Sequence, residues 1–323
     1  MEANPNYWGG QIRIKRLIFK PVPEEAARLN QLKSGDVDVV AALNPQLLPE
    51  VKKDPTVRAL TNPGIHTWFV MLNTAAKPFD DVRVRQAVNY AIDRDALVNK
   101  VLNGAGISSV SFSYPGTWSY TSQADQLYKY DPQKAKQLLA EAGYPNGFEI
   151  NFLVPQSGSG MVAPKEIATV IQAYLQQVGI KVNIDTLEWV TYLNEILTKG
   201  LSTPRKIYQM GEMSWMSTAA DPGMYVNYYL TCDSTPDKNN GFNDGYYCNK
   251  EVANLLGQAA QTNDQNKRAS LYKTAQVLVA KDAPWIFTFH AKNVIGLRYD
   301  VQGVVPYANM NTFPLKGAYI GSK

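Results

Sequence analysis

Asp221 lies in the segment MGEMSWMSTAADPGMY (Met210–Tyr225), and no Lys or Arg occurs between Gln209 and Thr235. A carboxylate set among Trp215, small residues and methionines either faces water or awaits a cation from elsewhere. A ligand ammonium would satisfy it by a charge-assisted hydrogen bond in a dry cleft. The pair Asp221-Pro222 equally suits a helix start, where the carboxylate accepts from an orphan backbone N–H. Glu188 is a second candidate acid. With Asp221 it would form the two-carboxylate set of a glycoside hydrolase, against the plainer reading of a strand-end carboxylate.

Other chemistries find little support. His66 and His290 are the only histidines, and each stands in an apolar run that suits packing or surface placement. No His-Glu-x-x-His pair, cysteine cluster or carboxylate ladder points to a metal. No glycine-rich phosphate loop follows a strand, and no Gly-x-Ser-x-Gly elbow is present. The chain is therefore read as a non-enzyme without cofactor. The formal charge of +4 is spread along 323 residues with no basic run, which argues against nucleic acid. Aromatics are plentiful, at 11% with 19 Tyr and 6 Trp, and such side chains often wall sites for small organic ligands.

Cys232 and Cys248 flank DSTPDKNNGFNDGYY, a polar, loop-like stretch. Two cysteines closing one loop fit a disulfide and an oxidising compartment, with two free thiols as the alternative. The N-terminal MEANPNYWGG has no apolar signal core, and runs such as APWIFTF are too short to span a bilayer.

Alternating strand and helix patterns must position these residues, which indicates α/β architecture. QIRIKRLIF, DVDVVAAL, GIHTWFVMLNT, FEINFLV, IKVNIDTLEW and KIYQMGEMSW read as strands, and PWIFTFHA and NVIGLRYD as two more. PEEAARLNQLKSG reads as a helix. PFDDVRVRQAVNYAIDRDALVNKVLNG reads as two helices, the first capped by Asp80 or Asp81 and the second by Asp93. DPQKAKQLLAEAGYPNG has Asp131 at the cap, Pro132 in the first turn and Gly143 at the stop. Ile167, Val170, Ile171, Tyr174, Leu175 and Val178 mark an amphipathic helix, TYLNEILTKG a short one, and the Val252–Ala259 and Leu271–Leu278 stretches two more.

The segment MLNTAAKPFDDVRVRQAVNYAIDRDALV resembles the signature region of the family 5 extracytoplasmic solute-binding proteins. Further blocks agree in order: NPNYWGG, LKSGDVDVV, YDPQKAKQLLAEAGYPNGFEI, IQAYLQQVGIKVNI, EWVTYL, YYCNKEVANLL, RASLYKTAQVLVAKDAPWI and VQGVVP. These proteins are the peptide-binding components of ABC importers. The resemblance implies a periplasmic-binding-protein type, two-lobe α/β fold (class II-like) that closes on its ligand by a hinge. Family members are longer, so the chain resembles their C-terminal part. That part would hold some of lobe I (1–70), lobe II (71–285) and a return segment to lobe I (286–323).

The same resemblance implies a Cys232–Cys248 disulfide, a periplasmic or cell-surface location, a membrane permease as partner, and a monomer. It assigns Asp221 of the Trp215–Asp221 motif to the α-amino group of a bound peptide. It sets Lys165 where dipeptide binders carry an Arg for the peptide carboxylate. Lys is a point charge without the guanidinium fork, which loosens the expectation of strict dipeptide specificity, and Lys165 also reads as a solvated first-turn residue. Trp189, Tyr192, Trp118 and Tyr114 are candidate walls, and Met210, Met213, Met216 and Met224 an adaptable lining or core filling. The same scaffold also carries nickel complexes, glycosides and opines, so a non-peptide ligand is the alternative.

Overall fold

Short polar side chains start the helices that position the site. Asp81 accepts from Arg83 N at 2.8 Å and opens Val82–Tyr90. Asp131 accepts from Lys134 N and opens Pro132–Glu141. Asn249 and Asp264 do the same for Lys250–Gln261 and Gln265–Asp282. Each supplies an acceptor to first-turn N–H groups that lack an intrahelical partner. The helix Pro164–Gln177 starts without a side-chain cap, after Ala163 in left-handed backbone.

The computed structural model describes the chain except residues 11, 23, 159, 203–206, 217–220, 240, 306–314 and 322–323, and the side chains of 65, 216 and 239. Its strands are β1 (Val39–Val40), β2 (Val57–Leu72), β3 (Gly106–Ser108), β4 (Phe148–Pro155), β5 (Ile180–Leu187), β6 (Met210–Met216), β7 (Trp285–Arg298), β8 (Val301–Gln302) and β9 (Tyr319–Ile320). The chain divides into two compact units: Met1–Gly64 with Leu102–Gly106 and Ala291–Lys323, and Ile65–Val101 with Ile107–His290. The family resemblance implies boundaries near 70 and 285 and does not anticipate the 102–106 excursion.

In the second unit the strand order is β7-β2-β6-β4-β5. β2 and β6 run antiparallel, with His66 opposite Met216, Trp68 opposite Ser214 and Val70 opposite Glu212. β4 is parallel to both β6 and β5, and β5 ends the order. Lys181 on β5 pairs with Glu149 on β4 at 3.1 Å. One face of this sheet carries a large aromatic core, in which Phe69 stacks on Trp285 at 3.9 Å and Tyr192, Tyr225, Tyr229 and Tyr272 are buried. Each such ring removes 150–250 Å² from water, which makes this core the main source of the unit's stability.

In the first unit, β1 lies antiparallel to the later part of β7, and β8 to β9. Its small core holds Ile295, Leu297, Val301, Val304 and Ala318. Trp8, Ile18 and Phe19 are largely exposed.

Two expected elements differ. Residues 12–19 of QIRIKRLIF form no strand beyond an isolated bridge of Arg16 to Glu2. Alternation alone cannot make a strand where no neighbouring strand takes up the backbone groups. PWIFTFHA and NVIGLRYD form one continuous strand, β7, because Lys292 and Asn293 are extended residues and not a turn. Among the described residues, no helix is long and apolar enough to cross a membrane.

Candidate ligand-binding site

Asp221 precedes the short helix Gly223–Tyr229 and follows β6. Its Oδ1 accepts from Gly223 N at 3.0 Å, and its Oδ2 accepts from Arg268 Nη2 at 2.7 Å. The carboxylate therefore does not stand uncompensated, as its sequence neighbourhood suggests. Its cation comes from 47 residues further on, in the first turn of Gln265–Asp282. Arg268 is itself fixed: its Nε donates to Ala259 O at 3.0 Å, and its guanidinium lies 5.3 Å from the Trp118 ring and 5.8 Å from Tyr272. Trp118 meets Tyr272 edge to face at 5.6 Å. Asp221, Trp118 and Arg268 thus form one assembly, about one-quarter exposed at the paired side chains.

The other candidates divide. Trp215, opposite Thr67 on β2, is partly buried against Tyr229 (5.5 Å) and Phe242 (5.6 Å). Trp189 is partly buried and stacks on Tyr192 at 5.9 Å. Gly158 runs so close over the Trp189 ring that an added Cβ would lie 2.4 Å from it. Tyr192 is not a wall residue. It is fully buried, and its hydroxyl donates to Glu212 O of β6, so it braces the sheet from within the core. Lys165 is exposed in the first turn of Pro164–Gln177; its carbonyl accepts from Thr169 Oγ1 at 2.8 Å, and its ammonium forms no ion pair with a described residue. Trp118, Trp189 and Trp215 all pack at the margin of one core.

Met210 and Met213 are buried core, Met224 is exposed, and the Met216 side chain lies outside the described residues. Glu188 caps Trp189–Lys199, accepting from Val190 N at 2.9 Å and Thr191 N at 3.3 Å. The two acids imagined as a hydrolytic pair thus each hold a helix start. His66 and His290 are buried, and burial lowers their pKa to about 4 and about 3. Among the described residues, no group of three or more His, Cys, Asp or Glu is placed to hold a metal. Cys232 and Cys248 are joined in a disulfide.

Three ionisable groups escape the sequence reading. Arg268 was legible in one respect: it lies four residues before the buried Tyr272, on the same helical face. Glu212 and Asp244 are fully buried with both carboxyl oxygens unpartnered among the described residues. Burial holds each well above the usual carboxylate range, and Glu166 pushes Glu212 further. Nothing in the sequence marks either acid as buried: the Met210-Glu212-Ser214 row is the more polar face of β6, and the strand is buried on both faces from Met210 to Ser214.

The model of the bacterial extracellular solute-binding proteins, family 5 Middle, matches residues 1–237. The chain belongs to this family. Its relatives include heme-binding protein A of Haemophilus influenzae, 37% identical over 94% of this chain and 53% of that one. The dipeptide-binding protein of Escherichia coli is 33% identical over 94% of this chain and 55% of its own length. Among solved structures, the periplasmic binding protein DppA of Helicobacter pylori in complex with the peptide STSA matches with a TM-score of 0.80. It is 27% identical, over 99% of this chain and 60% of that one. The periplasmic-binding-protein fold is thus shared, and the chain spans about half the length of the curated relatives it matches.

Proposed function

We propose that this protein is the substrate-binding component of an ABC importer, capturing di- or oligopeptides outside the cytoplasm and handing them to a membrane permease. The carrying observation is likeness along 94% of the chain to a dipeptide-binding protein, with a peptide-bound relative of the same fold. The Cys232–Cys248 disulfide fits an oxidising, extracytoplasmic compartment. We read the second unit as lobe II and the first as part of lobe I. Binding needs no bond broken, and the acids that could have formed a hydrolytic pair are committed to helix starts.

In this reading Trp118, Trp189 and Trp215 offer aromatic faces to the ligand, and Lys165 is a free cation for its carboxylate end. Asp221 acts as a positioning residue: a ligand ammonium would have to compete with Arg268 for it. A second reading, capture of a heme-like ligand, is favoured by the 37% identity to a heme-binding protein. Against it, both histidines are buried and offer no accessible axial ligand. Calorimetric titration of the intact protein with di- to pentapeptides, alongside absorption spectra with hemin, decides between them. Micromolar peptide binding supports the importer reading; a heme band with no peptide heat overturns it.

A further inference from the structure

A groove of about 610 Å³ runs along the exposed side of Gln265–Asp282, walled opposite by Thr121 and Gln123. It lies wholly within the second unit. Its helix wall repeats at the three- and four-residue spacing of one helical face, from Asn266 to Lys281. Two lysines line it, Lys273 and Lys281, and no Asp or Glu does. Both lysines are exposed, and neither forms an ion pair with a described residue. Between them the floor is apolar, made by the half-buried Val277 and Leu278. Eight residues of helix separate the cations by about 12 Å along the axis.

The acids nearest in sequence are occupied elsewhere. Asp125 accepts from Ser109 Oγ at 2.9 Å and from Tyr120 OH at 2.6 Å. Asp282 accepts from Tyr247 OH and Asn249 Nδ2, and Asp264 caps its helix through Asn266 N and Lys267 N. The groove thus presents two cations, neither ion-paired with a described residue, flanking an apolar centre, over a length that suits two turns of helix or four residues of extended chain.

We propose that this groove docks an acidic segment of a protein partner, with two carboxylates about 12 Å apart and an apolar side chain between them. The chemistry stands on the groove alone. Naming the permease as that partner rests on the importer reading, because it is the protein that must touch the loaded binding protein.

The test is fluorescence anisotropy with a labelled, end-blocked helical peptide carrying two Glu residues two turns apart and Leu midway. Its controls are a Lys-for-Glu counterpart and a version with the acids scrambled. Binding should weaken steeply with added salt. Each of Lys273→Glu and Lys281→Glu should weaken it about tenfold, and the Lys peptide should bind the double variant instead. Both lysines are exposed, so the variants should fold normally by circular dichroism; Lys273→Gln with Lys281→Gln gives a milder pair with the same direction. No binding by the unaltered protein, binding that survives double reversal, or equal binding of the scrambled peptide overturns the proposal. So does retention on phosphatidylglycerol vesicles without peptide binding. Peptide-cargo titration of the unaltered protein separates the two readings: no cargo capture there removes the importer assignment and leaves the groove result standing.

Discussion

The Asp221–Arg268 pair can be weighed by a double-mutant cycle of Asp221→Asn, Arg268→Met and both together. Exposed ion pairs contribute about 0–1 kcal/mol, and breaking fully buried ones costs about 3–5 kcal/mol. With both side chains about one-quarter exposed and 2.7 Å apart, this pair falls between. Asp221→Asn keeps an oxygen for Gly223 N and should cost about 1–2 kcal/mol. Arg268→Met also forfeits the bond to Ala259 O and the approach to Trp118 and Tyr272, and should cost about 2–4 kcal/mol. The two costs should overlap by about 1–2 kcal/mol of coupling. Urea unfolding of the four proteins measures this directly, with unchanged slopes as the check on two-state behaviour. In the intact protein, Asp221→Asn should also retain peptide capture. Costs that simply add, or capture erased with stability untouched, would refute the positioning role and restore Asp221 as a direct ligand acceptor.

Other outcomes follow from buried and cross-linked groups. Glu212 is held protonated by burial, so between its ordinary and its raised pKa the folded state keeps a proton that the unfolded chain releases. Its stabilising share is present at low pH and lost as pH rises; Glu212→Gln should melt above the parent at about pH 8 and converge with it near pH 4. The histidines act in the opposite sense. Their folded pKa is depressed, so stability falls as pH drops below about 6.5, by roughly 3 kcal/mol for His66 once pH reaches 4. Thermal melts across that window should show the slope, and His66→Gln should reduce it by about half, His290 supplying the rest. Replacing Cys232 and Cys248 by Ser opens a link spanning 16 positions and should cost about 3 kcal/mol in urea unfolding.

The fold was legible wherever one local rule decided. Asp81, Asp131 and Gly143 fixed helix ends because capping and left-handed backbone are short-range matters. The strand pattern failed at QIRIKRLIF, where pairing depends on a neighbour the pattern does not name, and at β7, where two stretches join. The site was harder to read. Asp221 stands in a segment without cations, yet its partner arrives from a helix 47 residues away. Tyr192 has the same residue type as an aromatic wall, but its burial is set by the core and not by its own segment. Charge compensation and burial are tertiary properties, so sequence spacing named the participants more reliably than their roles.

The sheet of the second unit stops at β5, and its last row of backbone donors and acceptors invites pairing with a strand from another molecule. Lys181 protrudes from that rim, 71% exposed, with Glu149 beside it. A second strand docking on that rim would have to strip water from the ammonium and disturb its pairing with Glu149 before backbone contacts could form. The ion pair adds little to folding, but a charged, partnered side chain on an edge strand is one of the devices that blunt edge-to-edge pairing.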